Sequence, residues 1–433
     1  MEDAGERVAH IAYGKKRLPL RMDPAIAEWS VVTPVTEAGL SDPHDAFLKI
    51  CRHPIGSAPL ADIAQRDDRV TIVTSDGTRA LPNDILIPWL LDCLPVPDEN
   101  VTILLGNGTH RANTPDEIVE MFGKAVVKRV RIENHNAFDP SQLAVVGHTH
   151  DGAPIALNKA YVEADKRFAV GFIEPHFFAG FSGGGKAVAP GVAGIESIFY
   201  LHSAQRIADE QADWAVLDGN PVQEAIVEMV AACPPDFLVN VTLNTEGELT
   251  EIFTGDWRAA HRAGCAHVCG HAMAPVPHAF DIIVTSNSGY PLDRNLYQTV
   301  KGMSAAARIV REGGTILVAS ECRDGIPADG HFANMLASHA TNEALRAFLH
   351  GLTEPVCDQW QVQVLSKILA RCRVLLFSAL AEEEVQRCHL ESVRSLQETL
   401  EETIRRLGGR PRVAVLPEGP LTIPYVKREG PHA

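Results

Sequence analysis

The sequence predicts an α/β protein of two domains, each a mostly parallel sheet flanked by helices. Three observations predict it. Short runs rich in β-branched residues recur along the chain: RVTIVTS, VTILLG, RFAVGFI, FDIIVTS, GTILVAS and RVLLFSA. Each is apolar and bounded by Gly or Ser, the pattern of a strand buried on both faces. Helical patterns follow the runs, and 433 residues suffice for two or three domains with full cores.

In chain order, RVTIVTS and VTILLG read as the first two core strands. The segment TPDEIVEMFGKA after them reads as a helix, because Thr114 and Glu117 have capping-box spacing. RFAVGFI is the next strand and leads into a glycine-rich loop. HRAGCAHVCGH, 261–271, reads as helix. HAMAPVPHAF, 271–280, is the domain break, since two prolines separate that helix from the fresh strand FDIIVTS. The domains are accordingly placed at 1–272 and 273–433. GTILVAS and RVLLFSA continue the second sheet, and ESVRSLQETLEETIRRL reads as an amphipathic covering helix.

Composition excludes several classes. An apolar fraction of 45% and a charged fraction of 22% are those of a water-soluble globular chain. A net charge of -16, with no long Lys/Arg run, argues against nucleic acid as partner. No run of about 18 apolar residues exists to span a bilayer. The start, MEDAGERVAHIAYG, lacks a basic region followed by an apolar stretch, so no signal peptide is expected. Nine cysteines, odd in number and scattered, fit reduced thiols in a cytoplasmic protein.

The loops after the strands carry the chemistry. In GFSGGGKAVAPG, Gly180 and Gly185-Lys186 match the spacing of a phosphate-binding loop, G-x-x-x-x-G-K. That reading fails on two counts. Residue 187 is Ala where a magnesium-binding Ser or Thr is needed, and Pro190-Gly191 would break the required helix. Lys186 remains open to three roles: salt-bridge partner, Schiff-base former or cofactor attachment point. TSDGTR puts Asp76 and Arg79 at the carboxyl end of a strand, where α/β proteins place ligands, and GNGTHR does the same for His110. GYPLDRNLYQTVKG opens a helix on which Tyr297, Gln298 and Lys301 fall within about one turn. Taken singly, each has an ordinary reading. Asp76 can cap a turn, Gln298 can support its helix, Tyr297 and Trp360 can be core, and Arg79 or Lys301 can sit in an ion pair. A dinucleotide-dependent dehydrogenase is disfavoured, because no strand leads into a clean G-x-G-x-x-G with an acidic residue about twenty positions on.

Together with EPHFFAGFSGGGKAVAPG and LHS, these loops resemble the lactate racemase family, from AYGKK to DQWQVQVLSKIL and in the same order. The resemblance implies two α/β domains with the active site in the cleft between them. It implies a racemase of 2-hydroxy acids, with lactate the lead substrate and malate, phenyllactate or an aldonate epimerised at C2 as alternatives. The implied cofactor is the nickel-pincer nucleotide, nickel pyridinium-3,5-bisthiocarboxylic acid mononucleotide, made by dedicated synthesis enzymes. Lys186 would hold it covalently through a thioamide, and His202 of LHS would be the nickel's fourth ligand, imidazole beside soft sulfur. His110 and His176 would be paired acid/base residues on the two faces of the substrate, while hydride shuttles through the cofactor. Arg79, Lys301 and Tyr297 would contact the substrate, with Arg79 gripping its carboxylate in two prongs. Asp76, Gln298 and Trp360 would contact the cofactor. A non-catalytic cofactor-binding protein is the rival class, and the pair His110 and His176 argues against it. His261, Cys265, His267, Cys269 and His271 look like a metal cluster, but no C-x-x-C is present; a helix packed through small thiols is expected instead.

Overall fold

The computed structural model describes residues 7–327, 331–352 and 355–427. The chain forms two compact units. One is Thr36–Gly270; the other joins Met1–Val35 to His271–Ala433, taken over its described residues. Both are α/β.

The Thr36–Gly270 unit is built on a six-stranded sheet. Its order is Leu249–Gly255, Phe237–Leu243, Lys166–Phe172, Val70–Ser75, Val101–Gly106 and Arg131–Asn134. All neighbours pair in parallel except Leu249–Gly255, which closes one edge antiparallel to Phe237–Leu243. The central strands are Val-, Ile- and Leu-rich because helices cover both their faces. Ile72, Ile103, Phe168 and Phe237 are fully buried, and the Phe168 and Phe237 rings lie 6.1 Å apart. The helix Pro115–Arg129 starts at the expected capping box. Thr114 Oγ1 accepts from the Glu117 amide at 3.2 Å, and Glu117 Oε2 accepts from the Thr114 amide at 2.8 Å.

The other unit carries a second six-stranded sheet, parallel throughout: Glu391–Val393, Arg373–Phe377, Val310–Ala319, Phe280–Ser286, Arg412–Leu416 and Glu28–Val31. Glu28–Val31 occupies an edge and draws the chain's beginning into this unit. The tail helix Leu396–Leu407 lays Leu396, Leu400 and Ile404 on the sheet and turns its charged side outward, as the amphipathic pattern predicts. All six runs read as strands from sequence are strands here. Among the described residues no helix is long and apolar enough to cross a membrane.

The packing around Phe168 sets a stability expectation. Replacing a fully buried phenylalanine by alanine removes apolar contact and leaves a cavity, for roughly 3–5 kcal/mol. Phe168→Ala should therefore shift the urea unfolding transition, followed by tryptophan fluorescence, to clearly lower denaturant. An unchanged midpoint would mean the ring is not packed as described.

Candidate active site

In the Thr36–Gly270 sheet the strand order reverses at Val70–Ser75. From there the chain steps outward to Val101–Gly106 and Arg131–Asn134, then returns to the opposite side with Lys166–Phe172. The crevice beyond the carboxyl ends of strands at such a reversal is where open α/β sheets take ligands. The loops leaving these strands carry Asp76 and Arg79, then His110, then His176 and Lys186.

His110 is oriented by Asp76. Its Nδ1 lies 2.8 Å from Asp76 Oδ2, and the carboxylate is buried while the imidazole stays partly exposed. Facing an ionised carboxylate, Nδ1 carries the proton, which leaves Nε2 as the nitrogen that can accept one. Burial pushes the Asp76 carboxyl up, but the His110 hydrogen bond and charge, with Thr78 and Arg79, outweigh this and hold it below the ordinary carboxylate range. Asp76 also caps its turn: Oδ1 accepts from the Thr78 amide at 3.2 Å and the Thr78 hydroxyl at 2.6 Å. The capping role and the orienting role belong to its two different oxygens. Arg79 follows in the same turn, half-buried, its amide donating to the Asp76 carbonyl at 3.3 Å.

His176 is buried in an aromatic setting. Its ring lies 4.8 Å from Phe177 and 4.5 Å, edge-on, from Phe178. The Ala179 amide donates to its Nδ1 at 3.3 Å. In the neutral ring this places the proton on Nε2, the opposite tautomer to His110. Phe178 also packs edge-on against His202 at 5.4 Å, so one ring steadies two imidazoles.

Lys186 stands on a single 3-10 turn, Gly184–Ala187, and no α-helix begins again until Ile195. The phosphate-loop geometry is therefore absent. The chain leaving this turn docks on the His110 loop, where the Gly108 amide donates to the Gly191 carbonyl at 2.9 Å.

His202 caps the helix Ile195–Leu201 and donates from Nδ1 to the Ile198 carbonyl at 2.8 Å. A carbonyl only accepts, so Nδ1 holds the proton and Nε2 the lone pair. Burial pushes the His202 pKa down to about 4; the Ile198 bond opposes this and the Lys186 charge adds to it. A neutral imidazole whose other nitrogen is tied to a backbone carbonyl is the usual state of a metal-ligating histidine. The donor set suits the nickel cofactor.

Tyr297, Gln298 and Lys301 belong to the other unit, on the helix Leu296–Ala307, which follows the strand Phe280–Ser286. The strand order of that sheet reverses at this strand. Asn295 caps the helix by accepting from the Gln298 amide at 2.9 Å. Trp360, buried near the start of the helix Gln359–Leu369, donates from Nε1 to the Tyr297 hydroxyl at 2.9 Å. These residues are gathered within their own unit.

Two further residues support the Lys186 loop and one the His110 loop; sequence reasoning read His261 only as part of the His/Cys segment and did not single out Asn240 or Asn107. Asn240, buried in the strand Phe237–Leu243, accepts the Gly184 amide on Oδ1 at 2.8 Å. His261 donates from Nε2 to the Ser182 carbonyl at 2.9 Å and has Cys265 Sγ 3.4 Å away. Asn107 ties down the His110 turn, donating to the Arg111 carbonyl at 3.1 Å and accepting from the His135 amide at 3.2 Å. A lone polar residue inside an apolar run gives a weak signal, a buried amide or imidazole that needs a partner. The His/Cys segment lies on the helix Trp257–Ala272, and all nine cysteines of the chain are free thiols.

The fold and site define a class: a two-domain α/β protein with histidines, a lysine and a buried carboxylate at the switch point of a parallel sheet. Comparison with known proteins narrows it. The model of the lactate racemase N-terminal domain matches residues 13–215, and that of the lactate racemase C-terminal domain matches residues 276–423. The lactate racemase of Lactiplantibacillus plantarum is 35% identical over 371 residues, 85% of this chain and 87% of that protein. That of Thermoanaerobacterium thermosaccharolyticum is 33% identical over 379 residues, 87% of this chain and 89% of that one. The solved lactate racemase apoprotein from T. thermosaccharolyticum superposes with a TM-score of 0.90 at 30% identity, covering 96% of this chain and 100% of its own. A Thermotoga maritima protein, 17% identical with a TM-score of 0.69 over 90% of this chain and 100% of its own, shares the fold. The chain belongs to the lactate racemase family.

The buried imidazoles carry a pH signature. His261, like His202, has its pKa pushed down to about 4, by burial first, with the Ser182 bond opposing and the Lys186 charge adding. Unfolded, both rings ionise near the ordinary 6.5. Below that pH the unfolded chain binds protons that the folded chain refuses. Stability is thus full above about pH 6.5 and falls toward pH 4, by up to roughly 1.4 kcal/mol per pH unit for each ring. Urea midpoints of the apoprotein should drop between pH 7 and pH 4.5, and less steeply in His261→Met. A flat profile would contradict the neutral, buried state of these rings.

Proposed function

We propose that the chain is a racemase of 2-hydroxy acids, with lactate the lead substrate, working with a nickel-pincer nucleotide joined to Lys186 and ligated at nickel by His202. The observation that carries this reading is the pairing of His110, held in one tautomer by Asp76, with His176, held in the other by the Ala179 amide, on loops of one switch point that also bears Lys186. A carrier that only stored the nucleotide would have no use for two oriented histidines.

When bound, the nucleotide supplies the two-electron acceptor and donor that interconvert hydroxy acid and keto acid. The protein's own groups do the rest. His110 Nε2 takes the hydroxyl proton of one enantiomer, with Asp76 stabilising the charge that then forms on the ring. His176 is assigned to the hydroxyl on the opposite face from the family resemblance; with Nδ1 accepting the Ala179 amide its proton sits on Nε2, so it takes a hydroxyl proton there once that contact is released and the ring proton has moved to Nδ1. Arg79 offers a planar fork to the substrate carboxylate and fixes which way C2 points. Tyr297 and Lys301 are assigned to the substrate, and Gln298 and Trp360 to the nucleotide, from the family resemblance. Asp76, assigned to the nucleotide on the same ground, is better supported as the residue that orients His110. The aromatic rings of Phe177 and Phe178 exclude water around His176, where a stray proton donor would scramble the transfer.

Attachment is tested by mass. Protein matured with the cofactor-synthesis enzymes should gain one nucleotide adduct and about one nickel, and Lys186→Ala should lose the adduct in intact-mass spectra. An adduct that survives in the alanine variant would remove Lys186 from the assignment.

The two-base reading has its own test. His110→Ala and His176→Ala should each lower net racemisation by roughly 10²- to 10⁴-fold, the loss typical of a missing general acid/base. In a single turnover each variant should still convert one lactate enantiomer to pyruvate, and the two variants should choose opposite enantiomers. Quantifying keto acid after a rapid quench decides it: the same preference in both, or wild-type racemisation in either, is incompatible with paired bases.

A further inference from the structure

We infer that Asn240 and His261 form a buried clamp on the glycine run, and that the clamp sets how Lys186 presents its amine for attachment. The inference rests on the reading of Lys186 as the attachment residue. Both are positioning residues, since they act through the backbone of the loop.

The run Gly183-Gly184-Gly185 before Lys186 has no side chains to lock its own conformation. Its geometry must come from neighbours, and two polar groups supply it. From the sheet, Asn240 Oδ1 takes the Gly184 amide hydrogen, while its Nδ2 donates to the Val239 carbonyl at 2.9 Å and so fixes which way the amide faces. From the helix, His261 Nε2–H holds the Ser182 carbonyl, and its ring occupies the space that a Cβ on Gly184 would need. A Cβ at Gly184 would stand 2.5 Å from His261 Cγ, and φ there is +55°. Glycine at 184 and histidine at 261 are thus complementary.

Neither polar residue is explained by its own element. Asn240 sits inside a strand that is otherwise buried and largely apolar, and His261 lies on the buried side of its helix with Trp257, Cys265 and Val268. Burying an amide or imidazole in such a place is unfavourable unless its hydrogen bonds are met. Here the partners that meet them are Ser182 and Gly184, the residues leading into Lys186. In the attachment step the Lys186 nitrogen forms a C–N bond to a thiocarboxyl carbon, the C–O bond of that group breaks, and one amine proton leaves with the oxygen as water. Such a condensation depends on the angle and reach of the amine, and a displacement of about 1 Å can lower a rate 10²-fold.

The test uses apoprotein incubated with nucleotide from the synthesis enzymes, read by intact mass against time, alongside hydrogen–deuterium exchange of the 180–191 peptide. His261→Met keeps bulk and removes the donor, whereas His261→Gln can return an N–H to the Ser182 carbonyl; Asn240→Leu removes the acceptor. Loading should slow roughly 10- to 100-fold in His261→Met and Asn240→Leu, with local exchange faster by about tenfold or more. His261→Gln should restore both to near wild type. Val268→Ala, on the same helix away from the loop, should load normally even where it lowers stability. The clamp is overturned if both disabling variants load and exchange like wild type, if glutamine fails as badly as methionine, or if Val268→Ala slows loading as much. Lys186→Ala, run in parallel, separates the premise. If that variant still loads, the attachment reading fails, and the exchange data alone then judge the clamp.

Discussion

The candidate site depends on one close approach of two backbones. The His110 loop and the chain leaving Lys186 touch through the Gly108 amide and the Gly191 carbonyl, 2.9 Å apart. A Cβ on Gly106 would meet Gly191 Cα at 3.2 Å, and one on Gly191 would meet the Ala187 carbonyl oxygen at 2.1 Å. Glycine at 106 lets the two backbones approach closely, and glycine at 191 lets the chain leaving Lys186 fold tightly on itself. The contact ties the His110 loop to the loop that bears Lys186. Everything chemical in the Thr36–Gly270 unit hangs on that junction: Asp76 orients His110 from one side, and Phe178 steadies His176 and His202 from the other.

The two units, each taken by itself, solve the same problem in the same way. In each, chemistry-bearing residues follow the strand at which the order of a parallel sheet reverses, Val70–Ser75 in one and Phe280–Ser286 in the other. At a reversal the loops on either side diverge and leave backbone and side chains uncovered at the strand ends. A rigid sheet beneath gives these residues precise placement. The histidines illustrate the resulting control. Four imidazoles of one unit are held by three kinds of partner: a carboxylate for His110, an amide N–H for His176, and backbone carbonyls on opposite ring nitrogens for His202 and His261.

Much of this was legible in the chain. The core strands announce themselves because burial on both faces demands unbroken β-branched runs, and the reactive loops were found because they follow those runs. Thr114 and Glu117 were readable because a capping box is purely local. The edge strands were not. Glu28–Val31 and Glu391–Val393 are short and half-solvated, so their composition resembles that of loops. Asn240, and the loop contact of His261, went unread for a different reason. Their meaning lies in partners distant in sequence, at Gly184 and Ser182, and no spacing rule reports that. His261 and Cys265 lie on the buried side of one helix, where His261 meets the backbone of Ser182 and Gly184.

The pairing of Glu28–Val31 with Arg412–Leu416 has a consequence for how the molecule comes into being. The strand Glu28–Val31 can find its neighbour only after the whole Thr36–Gly270 stretch and most of the second unit have been synthesised. Until then the early segment must remain unpaired, with an open sheet edge to protect, and closing so long a loop is slow. Thr36–Gly270 is one continuous stretch and waits for nothing downstream. During translation the body that carries Lys186 and the histidines is therefore complete while the other is still missing its last parallel strands. Birth order along the ribosome, and not only final geometry, divides the chain in two.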